Sequence, residues 1–482
     1  MRVLEKCEPK KVFQFFEEIC SIPHGSGNTK QISDYYVEFA KNRGLKYVQD
    51  EINNIIIYKN ATKGYENAPT VILQGHMDMV CASAEDKEFD FLTEGLELSV
   101  EGDWIKADRT TLGGDNSIAI AMALAVLDSD DLAHPAIEAV FTVDEETGLY
   151  GAKALDFNLL KGRWLLNLDS EDEKEITVSC AGGVRADSIL PVKREEKDGV
   201  LYSVTIDGLL GGHSGMEINK GRGSANQLMG RLLYNASLVS KFTLVSLNGG
   251  VVENAIALKA TADVLVEKGS ETSFEAVLEE MNKVYKNEYA ATDSGVAVSS
   301  VKGDNLTVKT ADETSTKNII FLLYNLPHGV FAMCTDFPEV TETSLNMGVA
   351  ELSENEFRIA FSVRSSVATR KEMLKQKLAA VSELVGGKCE FHAEYPAWEY
   401  KRNSPLRDIV VNSYKKVFGS EPVIAATHGG LECGLFSGKA PDLDSVSFGP
   451  CMKDVHTPLE KLSVSSTGRV FALVTEILKN CK

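Results

Sequence analysis

The stretch VILQGHMDMV, residues 71–80, joins an apolar run to a histidine and a carboxylate. The run predicts a buried strand that leads into His76 and Asp78. Because side chains alternate along a strand, these two are expected on the same side. The pair suits a metal ligand and the carboxylate that orients it. Taken alone, however, the stretch is better explained as an ordinary polar strand end.

The residues around this stretch alternate between predicted strands and a predicted helix. Strands are expected within 53–60, 70–78, 136–146 and 162–170, and an apolar helix is expected to begin near Asn116. Apolar strands that alternate with helices are typical of an α/β layer. The sequence therefore predicts an α/β fold with a mostly parallel central sheet.

The α/β alternation of strands and helices ends after residue 185 and resumes near residue 401. In between, a helix, a strand pair and a second helix follow one another twice, with 254–266 and 346–363 in matching places. This repetition predicts two similar α+β halves. We therefore expect one domain made of residues 1–185 and 401–482, interrupted by an inserted domain of residues 186–400, because the last piece is too short for a core of its own.

The composition disfavours several classes of partner. Lys and Arg number 50 against 70 Asp and Glu, which gives a net charge of −20. This acidic balance argues against a nucleic-acid backbone and against an anionic membrane surface as partners. The sequence has no apolar run of membrane-spanning length and no signal-peptide core, and its nine cysteines are scattered. We expect a cytoplasmic protein with reduced thiols.

Acidic residues and histidines occur where several of the predicted strands end. The residues that share this placement are His76, Asp78, Asp115, Glu145, Glu146, Asp169 and His456. In open α/β sheets, ligands bind at the carboxyl ends of the strands. Two histidines with several carboxylates form a ligand set that suits zinc, manganese or cobalt.

A pair of neighbouring metal ions needs a bridging carboxylate. The ligand set would be His76, Asp115, Glu146, Asp169 and His456, with Asp115 shared. Two acids then remain. Asp78 would orient His76, and Glu145 would take a proton from a water molecule.

Each of these residues also has an ordinary explanation. DEE after a strand is usually a solvated loop, NLD is usually a turn or a helix cap, and His456 is by default a loop residue. Taken singly, these explanations are favoured. Taken jointly, they require five coincidences in one layer, and the metal centre becomes the better hypothesis.

Seven motifs occur in order along the chain: GHMDMV, TLGGDN, TVDEETGLYGA, NLDSEDE, GGHSGMEI, HGGLECGLF and VHTP. In sequence and spacing they resemble the Xaa-His dipeptidases, also called aminoacyl-histidine dipeptidases. This family belongs to a wider group of dinuclear zinc peptidases that includes carnosinases and carboxypeptidase G. The resemblance runs nearly end to end.

The resemblance implies roles for the residues at the strand ends. One metal ion would be held by His76, Asp115 and Asp169, and the other by Asp115, Glu146 and His456. Glu145 would be the general base, and Asp78 would orient His76. The ions would be zinc, although manganese and cobalt also suit these ligands.

The resemblance further implies a lid as the inserted domain, a homodimer formed through it, and cleavage of short peptides, often with a C-terminal histidine. His213 would stabilise the tetrahedral oxyanion, and Arg364 would bind the substrate carboxylate. Asn254, His428 and Glu432 match further substrate contacts. Alternatives are an exposed turn histidine for His213, a surface arginine for Arg364 and a helix-start carboxylate for Glu432.

The sequence is also compatible with two other functions. The same scaffold serves other metal-dependent amide hydrolases, such as aminoacylases, desuccinylases and tripeptidases, although the large doubled lid favours the Xaa-His branch. A non-catalytic binding module is the alternative from another class. Its signature would be the loss of Glu145 or of a metal ligand, and none of these residues is lost.

Overall fold

The computed structural model describes residues 2–482 and divides into two compact units. The first unit comprises the chain up to Cys180, Tyr400–Ala426 and Leu431–Lys482. The second comprises Ala181–Glu399 and Thr427–Gly430. One unit is thus interrupted by the other.

The helices and strands follow one another in three segments. The first segment contains α1 Lys10–Cys20, α2 Lys30–Asn42, β1 Lys46–Gln49, β2 Ile55–Lys59, β3 Val71–His76, β4 Leu98–Glu101, β5 Trp104–Ala107, α3 Gly114–Asp128, β6 Ile137–Thr142, α4 Tyr150–Ala154, β7 Trp164–Asn167 and β8 Glu175–Cys180. The second contains β9 Gly182–Pro191, β10 Arg194–Asp207, β11 Gly212–His213, α5 Ala225–Ser237, β12 Phe242–Gly249, β13 Ala255–Ile256, β14 Ala260–Val266, α6 Glu271–Glu288, β15 Ala297–Ala311, α7 Glu313–Asn325, β16 Gly329–Met333, β17 Thr341–Leu352, β18 Glu356–Ser365, α8 Ala368–Leu384 and β19 Lys388–Tyr395. The third contains α9 Pro405–Phe418, β20 Val423–Thr427, α10 Glu432–Lys439, β21 Asp444–Ser447, β22 Met452–Lys453, β23 Lys461–Ser463 and α11 Val464–Asn480.

An eight-stranded sheet forms the centre of the first unit, in the order β1-β2-β6-β3-β7-β21-β8-β20. The middle strands β6, β3, β7 and β21 run parallel. The strands β1 and β2 on one side and β8 on the other pair antiparallel. Every residue of β3 and β6 is buried, as in strands covered on both faces. The predicted sheet is therefore parallel at its centre and antiparallel towards its edges.

Helix α3 covers this sheet, packing against β3 and α1. Its stretch SIAIAMALAVL has no polar face, and every residue from Asn116 to Leu127 is buried. A helix that is apolar all round belongs in the interior of a protein. The burial of α3 leaves its two ends in need of polar partners from elsewhere in the chain.

A second, four-stranded sheet of the first unit has the order β22-β23-β5-β4. Strand β23 pairs with β5 so that Lys461 lies opposite Lys106. The loop that precedes β23 and the loop that follows β5 therefore leave the sheet at the same end. The first of these loops contains His456, and the second leads to Asp115.

The second unit is built on a nine-stranded sheet, in the order β15-β10-β14-β12-β17-β18-β9-β19 with β16 beside β17. One half is β10-α5-β12-β14-α6-β15, and the other is β9-α7-β17-β18-α8-β19. From its outer edge inward, each half orders its strands as fourth, first, third and second along the chain, a ferredoxin-like arrangement. The halves meet where β12 pairs with β17. The predicted α/β fold with an α+β insertion of two similar halves is confirmed.

Among residues 2–482, no helix is both long and apolar enough to cross a membrane. Among residues 2–482, no two of the nine cysteines are joined by a disulfide.

Candidate active site

Three neighbouring parallel strands end at the same edge of the central sheet. His76 is the last residue of β3, and it lies opposite Thr142 at the end of β6. Glu145 and Glu146 follow β6, and Asp169 follows β7. The sheet thus brings one histidine and three carboxylates to its carboxyl edge, the place where α/β sheets bind ligands.

Segments next to the four-stranded sheet contribute two more residues of this cluster. Asp115 lies in the first turn of α3. His456 lies between β22 and β23, in the left-handed region with a φ of 64°. The structure therefore brings together all five residues that the sequence proposes as metal ligands.

The carboxylate of Asp115 lies between the two imidazoles. Its Oδ1 atom is 3.1 Å from Nε2 of His76, and its Oδ2 atom is 3.4 Å from Nε2 of His456. The first imidazole also faces Oδ1 of Asp169 at 3.5 Å, and the second faces Oε1 of Glu146 at 2.8 Å. The contacts thus form two groups of three residues that share Asp115. One group is His76, Asp115 and Asp169, and the other is Asp115, Glu146 and His456.

These separations fit metal ligation. Ligand atoms about 2.0–2.1 Å from one tetrahedral ion lie about 3.3 Å from each other, close to the distances within each group. One ligand atom from each of His76, Asp115 and Glu146 also lies within 4.8 Å of the others. By geometry, the five residues could hold two ions that share Asp115.

The cluster holds more negative charge than its imidazoles balance. Burial raises the pKa of Glu145 well above its usual value, and the carboxylates of Asp169 and Glu432 raise it further. Burial likewise raises the pKa of Asp169 to about 6. Burial opposes protonation of His76, but the carboxylates of Asp169 and Asp115 outweigh it and raise its pKa. Cations among these carboxylates would relieve their repulsion, so the residues fit a metal centre by charge as well.

Asp78 lies beyond the end of β3, so alternation along the strand does not place it. The Nδ1 atom of His76 is 3.0 Å from the main-chain oxygen of Asp78 and 3.5 Å from its carboxylate. That carboxylate accepts hydrogen bonds from the hydroxyl of Ser26 at 2.7 Å and the backbone N–H of Glu145 at 3.0 Å. Asp78 therefore connects the ring of His76 to the backbone of Glu145, and its carbonyl is the closer acceptor for the ring.

Glu432, the first residue of α10, is buried in the first unit. One carboxylate oxygen accepts hydrogen bonds from the hydroxyl of Thr142 at 2.7 Å and from the side chain of Gln74. Gln74 in turn accepts one from Asn167. Within residues 2–482 the other oxygen of Glu432 has no partner. Burial raises the pKa of this carboxyl to about 7.

The other four predicted substrate residues lie in the second unit. On β18, Nη1 of Arg364 donates to the hydroxyl of Tyr395 at 3.3 Å and to the carbonyl of His428 at 3.4 Å. Its Nε is buried without a partner among residues 2–482. The Nε2 atom of His428 is 2.7 Å from the hydroxyl oxygen of Ser344. Burial and the charge of Arg364 lower the pKa of His428 to about 3.

His213 is exposed on β11, which pairs with β13. The carbonyl of Asn254, just before β13, accepts a hydrogen bond from the backbone of Ser214. A Cβ atom on Gly215 would lie 3.0 Å from Cε1 of His213 and 3.3 Å from Cζ of Arg364. His213 and Arg364 therefore flank Gly215, and partial burial followed by the charge of Arg364 lowers the pKa of His213.

The sequence reasoning missed Glu460, a buried residue of the first unit. Its carboxylate accepts hydrogen bonds from backbone N–H groups at the start of α3, including that of Asp115. Glu460 lies four residues after His456 in VHTPLE, which places it near a proposed ligand, but nothing in that motif indicates its contact with the start of α3.

Tyr395 of the second unit was also missed. Its side chain occupies space that two glycines leave free, since a Cβ on Gly183 would come within 2.5 Å of its hydroxyl oxygen and a Cβ on Gly430 within 2.8 Å of its ring. No pattern around Tyr395 in the sequence indicates its contact with Arg364.

Comparison by sequence finds peptidases among the known proteins that are similar to this chain. The sequence profile of peptidase family M20/M25/M40 matches residues 72–480. The cytosol non-specific dipeptidase of Escherichia coli K12 is 37% identical over 485 residues, which cover 99% of each chain.

Solved structures agree with the sequence relatives. The aminoacylhistidine dipeptidase of Vibrio alginolyticus superposes with a TM-score of 0.94 at 34% identity, covering 99% of this chain and 98% of that one. The aminopeptidase PepT of Bacillus cereus has a TM-score of 0.57 at 16% identity, with 98% and 99% covered. At that identity the second likeness concerns the fold alone.

Proposed function

Because the chain belongs to peptidase family M20/M25/M40, we propose that it is a metal-dependent dipeptidase that hydrolyses Xaa-His dipeptides and related short peptides. Two full-length relatives bear dipeptidase names, the cytosol non-specific dipeptidase and the aminoacylhistidine dipeptidase. The proposal also includes a cytoplasmic location, in line with the name of the first relative.

The observation that carries this proposal is the position of Asp115. Its two carboxylate oxygens face two different imidazoles, those of His76 and His456. This is the arrangement that a carboxylate bridging two ions needs. We propose two divalent ions, most suitably zinc, with Asp169 completing one ligand group and Glu146 the other.

Divalent ions in such a site act as Lewis acids and lower the pKa of water. The chain's own part would be proton transfer and orientation. Glu145 would accept the proton of the attacking water and pass it to the leaving amine. Asp78 would orient the proposed ligand His76 and the proposed base Glu145, because it contacts the ring of one and the backbone N–H of the other.

Residues of the second unit would recognise the substrate. Arg364 would bind the peptide carboxylate, since its Nε has no partner within residues 2–482 and its Nη1 contacts only neutral oxygens. His213 would stabilise the oxyanion. Asn254 and His428 would complete the contacts to the peptide.

Glu432 would contribute to substrate binding from the first unit. Its unpartnered oxygen would accept a hydrogen bond from the substrate's α-amine. Burial raises the pKa of Glu432 and so disfavours its charged form. An ammonium group nearby would lower this pKa again and favour the carboxylate.

We further propose a homodimer formed through the second unit, which we assign as the lid. Large apolar side chains are exposed on and around the β11–β13 pair: Leu210, Met216, Val251, Val252 and Leu258. A second copy of the chain would cover this patch. Sedimentation of the protein against a Val251→Asp variant tests this part of the proposal, with a shift to monomer expected.

The function is tested by a panel of dipeptides that includes Xaa-His members. Purified protein is assayed as isolated, after chelation, and after zinc, manganese or cobalt is returned. We expect cleavage that chelation abolishes and added metal restores. Bound metal is measured in each sample.

Two outcomes would contradict the proposal in different ways. Two bound ions without cleavage of any dipeptide would keep the metal centre and point to another amide, such as an acylated amino acid. Absence of bound metal under every condition would overturn the central claim.

A further inference from the structure

One carboxylate, that of Glu460, holds the backbone that leads into Asp115. Its Oε2 accepts hydrogen bonds from the N–H groups of Leu112 at 2.8 Å and Gly113 at 3.2 Å. Its Oε1 accepts them from Gly114 at 2.8 Å and Asp115 at 3.4 Å. Consecutive N–H groups at a helix start form an anion-binding concavity. Here the chain fills that concavity with its own side chain.

The same residue closes the loop that carries His456. The backbone N–H of Glu460 donates to the carbonyl of Thr457, and the N–H of Thr457 donates to the carbonyl of Asp454. The hydroxyl of Thr457 also donates to Asp454 and accepts from the backbone of Leu459. His456 is therefore part of a compact turn whose last residue is fixed to the start of α3.

We propose that Glu460 is a positioning residue of the metal centre, which sets the distance between Asp115 and His456. This inference rests on the proposed function. Glu460 holds two of the three residues in the group of Asp115, Glu146 and His456, but only Asp115 in the group with His76 and Asp169. Loss of the Glu460 carboxylate should therefore weaken the binding of the ion held by Asp115, Glu146 and His456 more than the binding of the other ion.

The opposite end of α3 provides a matched control. There the Nζ of Lys59 donates to the carbonyls of Val126 at 3.0 Å and Leu127 at 3.1 Å, and also to that of Ser129. Glu460 and Lys59 thus cap the two ends of one buried helix with charged side chains from distant segments. Loss of either cap destabilises α3, but only Glu460 adjoins the proposed ligands.

The experiment compares wild type, Glu460→Gln and Lys59→Met. Zinc binding is titrated against a chromophoric chelator, and the thermal midpoint of each metal-free protein is recorded. We expect Glu460→Gln to weaken one of two zinc-binding steps about 10- to 100-fold, as losses of residues that support ligands do. Lys59→Met should lower the thermal midpoint while leaving both binding steps unchanged.

A second variant guards against misfolding. Glu460→Asp keeps both acceptor oxygens one methylene further back, so it should fold and show a smaller loss in the same step. Equal zinc affinity in wild type and Glu460→Gln would overturn the inference, as would an equal loss in Lys59→Met. If wild type binds none of zinc, manganese and cobalt, the proposed function fails and this inference fails with it.

Discussion

The two clusters of candidate site residues, one in each unit, carry opposite charge. In the first unit, carboxylates outnumber the imidazoles, and burial, followed by the charge of neighbouring carboxylates, raises the pKa values of Glu145 and Asp169. In the second unit, Arg364 contacts neutral oxygens, and burial, followed by the charge of Arg364, lowers the pKa values of His213 and His428. Each cluster therefore holds unbalanced charge of one sign.

Unbalanced buried charge is costly unless a partner of the opposite sign arrives. The acidic cluster accordingly suits metal cations, and the basic cluster suits an anion such as a peptide carboxylate. If this difference reflects function, changes in the first cluster should act on metal binding or on the chemical step. Changes in the second should act on the affinity for substrates that bear a carboxylate.

The largest effect is expected from Glu145→Ala. A general base contributes about 100- to 10,000-fold to the rate, so kcat should fall by that factor while KM changes little. Because Glu145 is not a proposed ligand, bound zinc should stay at the wild-type level. Steady-state kinetics with elemental analysis measures both. Loss of zinc together with activity would show that Glu145 belongs to the ligand set instead.

Arg364→Lys should give the next largest effect, in the second cluster. The ammonium group keeps the charge but loses the planar fork that binds a carboxylate at two points. Loss of a charged hydrogen bond costs about 1.5–3 kcal/mol, which corresponds to a fall in kcat/KM of about tenfold to a hundredfold, mainly through KM. A dipeptide amide, which lacks the carboxylate, serves as the control. If the variant discriminated equally against both substrates, Arg364 would not be the carboxylate site.

The difference between the clusters also explains how much the sequence could predict. His76 ends a strand, and Glu145, Glu146 and Asp169 follow strands. Each of these positions can be predicted from its own strand, because parallel strands have their carboxyl ends at the same edge of a sheet. Glu460 accepts hydrogen bonds from backbone groups about 350 residues away along the chain. The rule about strand ends does not predict this contact. The contact is set by how three segments assemble, which no local pattern encodes.

The same reasoning applies to the sheets. The apolar runs predicted the buried parallel strands at the centre, because continuous apolar sequence is what strands covered on both faces require. The antiparallel edges depend on which strands pair with one another, and the apolar runs alone do not indicate that pairing. In the second unit, the repeated order of helices and strands was visible, but the placement of β9 at the far side of the sheet was not.

Gly215→Ala is expected to disturb the second cluster alone. The added methyl carbon would lie 3.0 Å from His213 and 3.3 Å from Arg364, so both side chains must shift. Small displacements of positioning groups cost activity, and we expect kcat/KM to fall about tenfold with bound zinc unchanged. Gly468→Ala in α11 is the control, because its added carbon would meet only ordinary contacts at 3.4 Å and 3.8 Å. Unchanged kinetics in Gly215→Ala would mean that the positions of His213 and Arg364 around Gly215 do not limit activity.

The smallest effect is expected from Tyr395→Phe. The ring would stay between Gly183 and Gly430, whose missing side chains provide its space, so only the hydroxyl contact to Arg364 is removed. One such hydrogen bond contributes about 1 kcal/mol, so KM should rise about fivefold with kcat unchanged. A wild-type KM would mean that the carbonyl of His428 suffices to hold Arg364. The second cluster would then be positioned by a backbone carbonyl, whereas in the first the side chain of Glu460 contacts the backbone of Gly114 and Asp115.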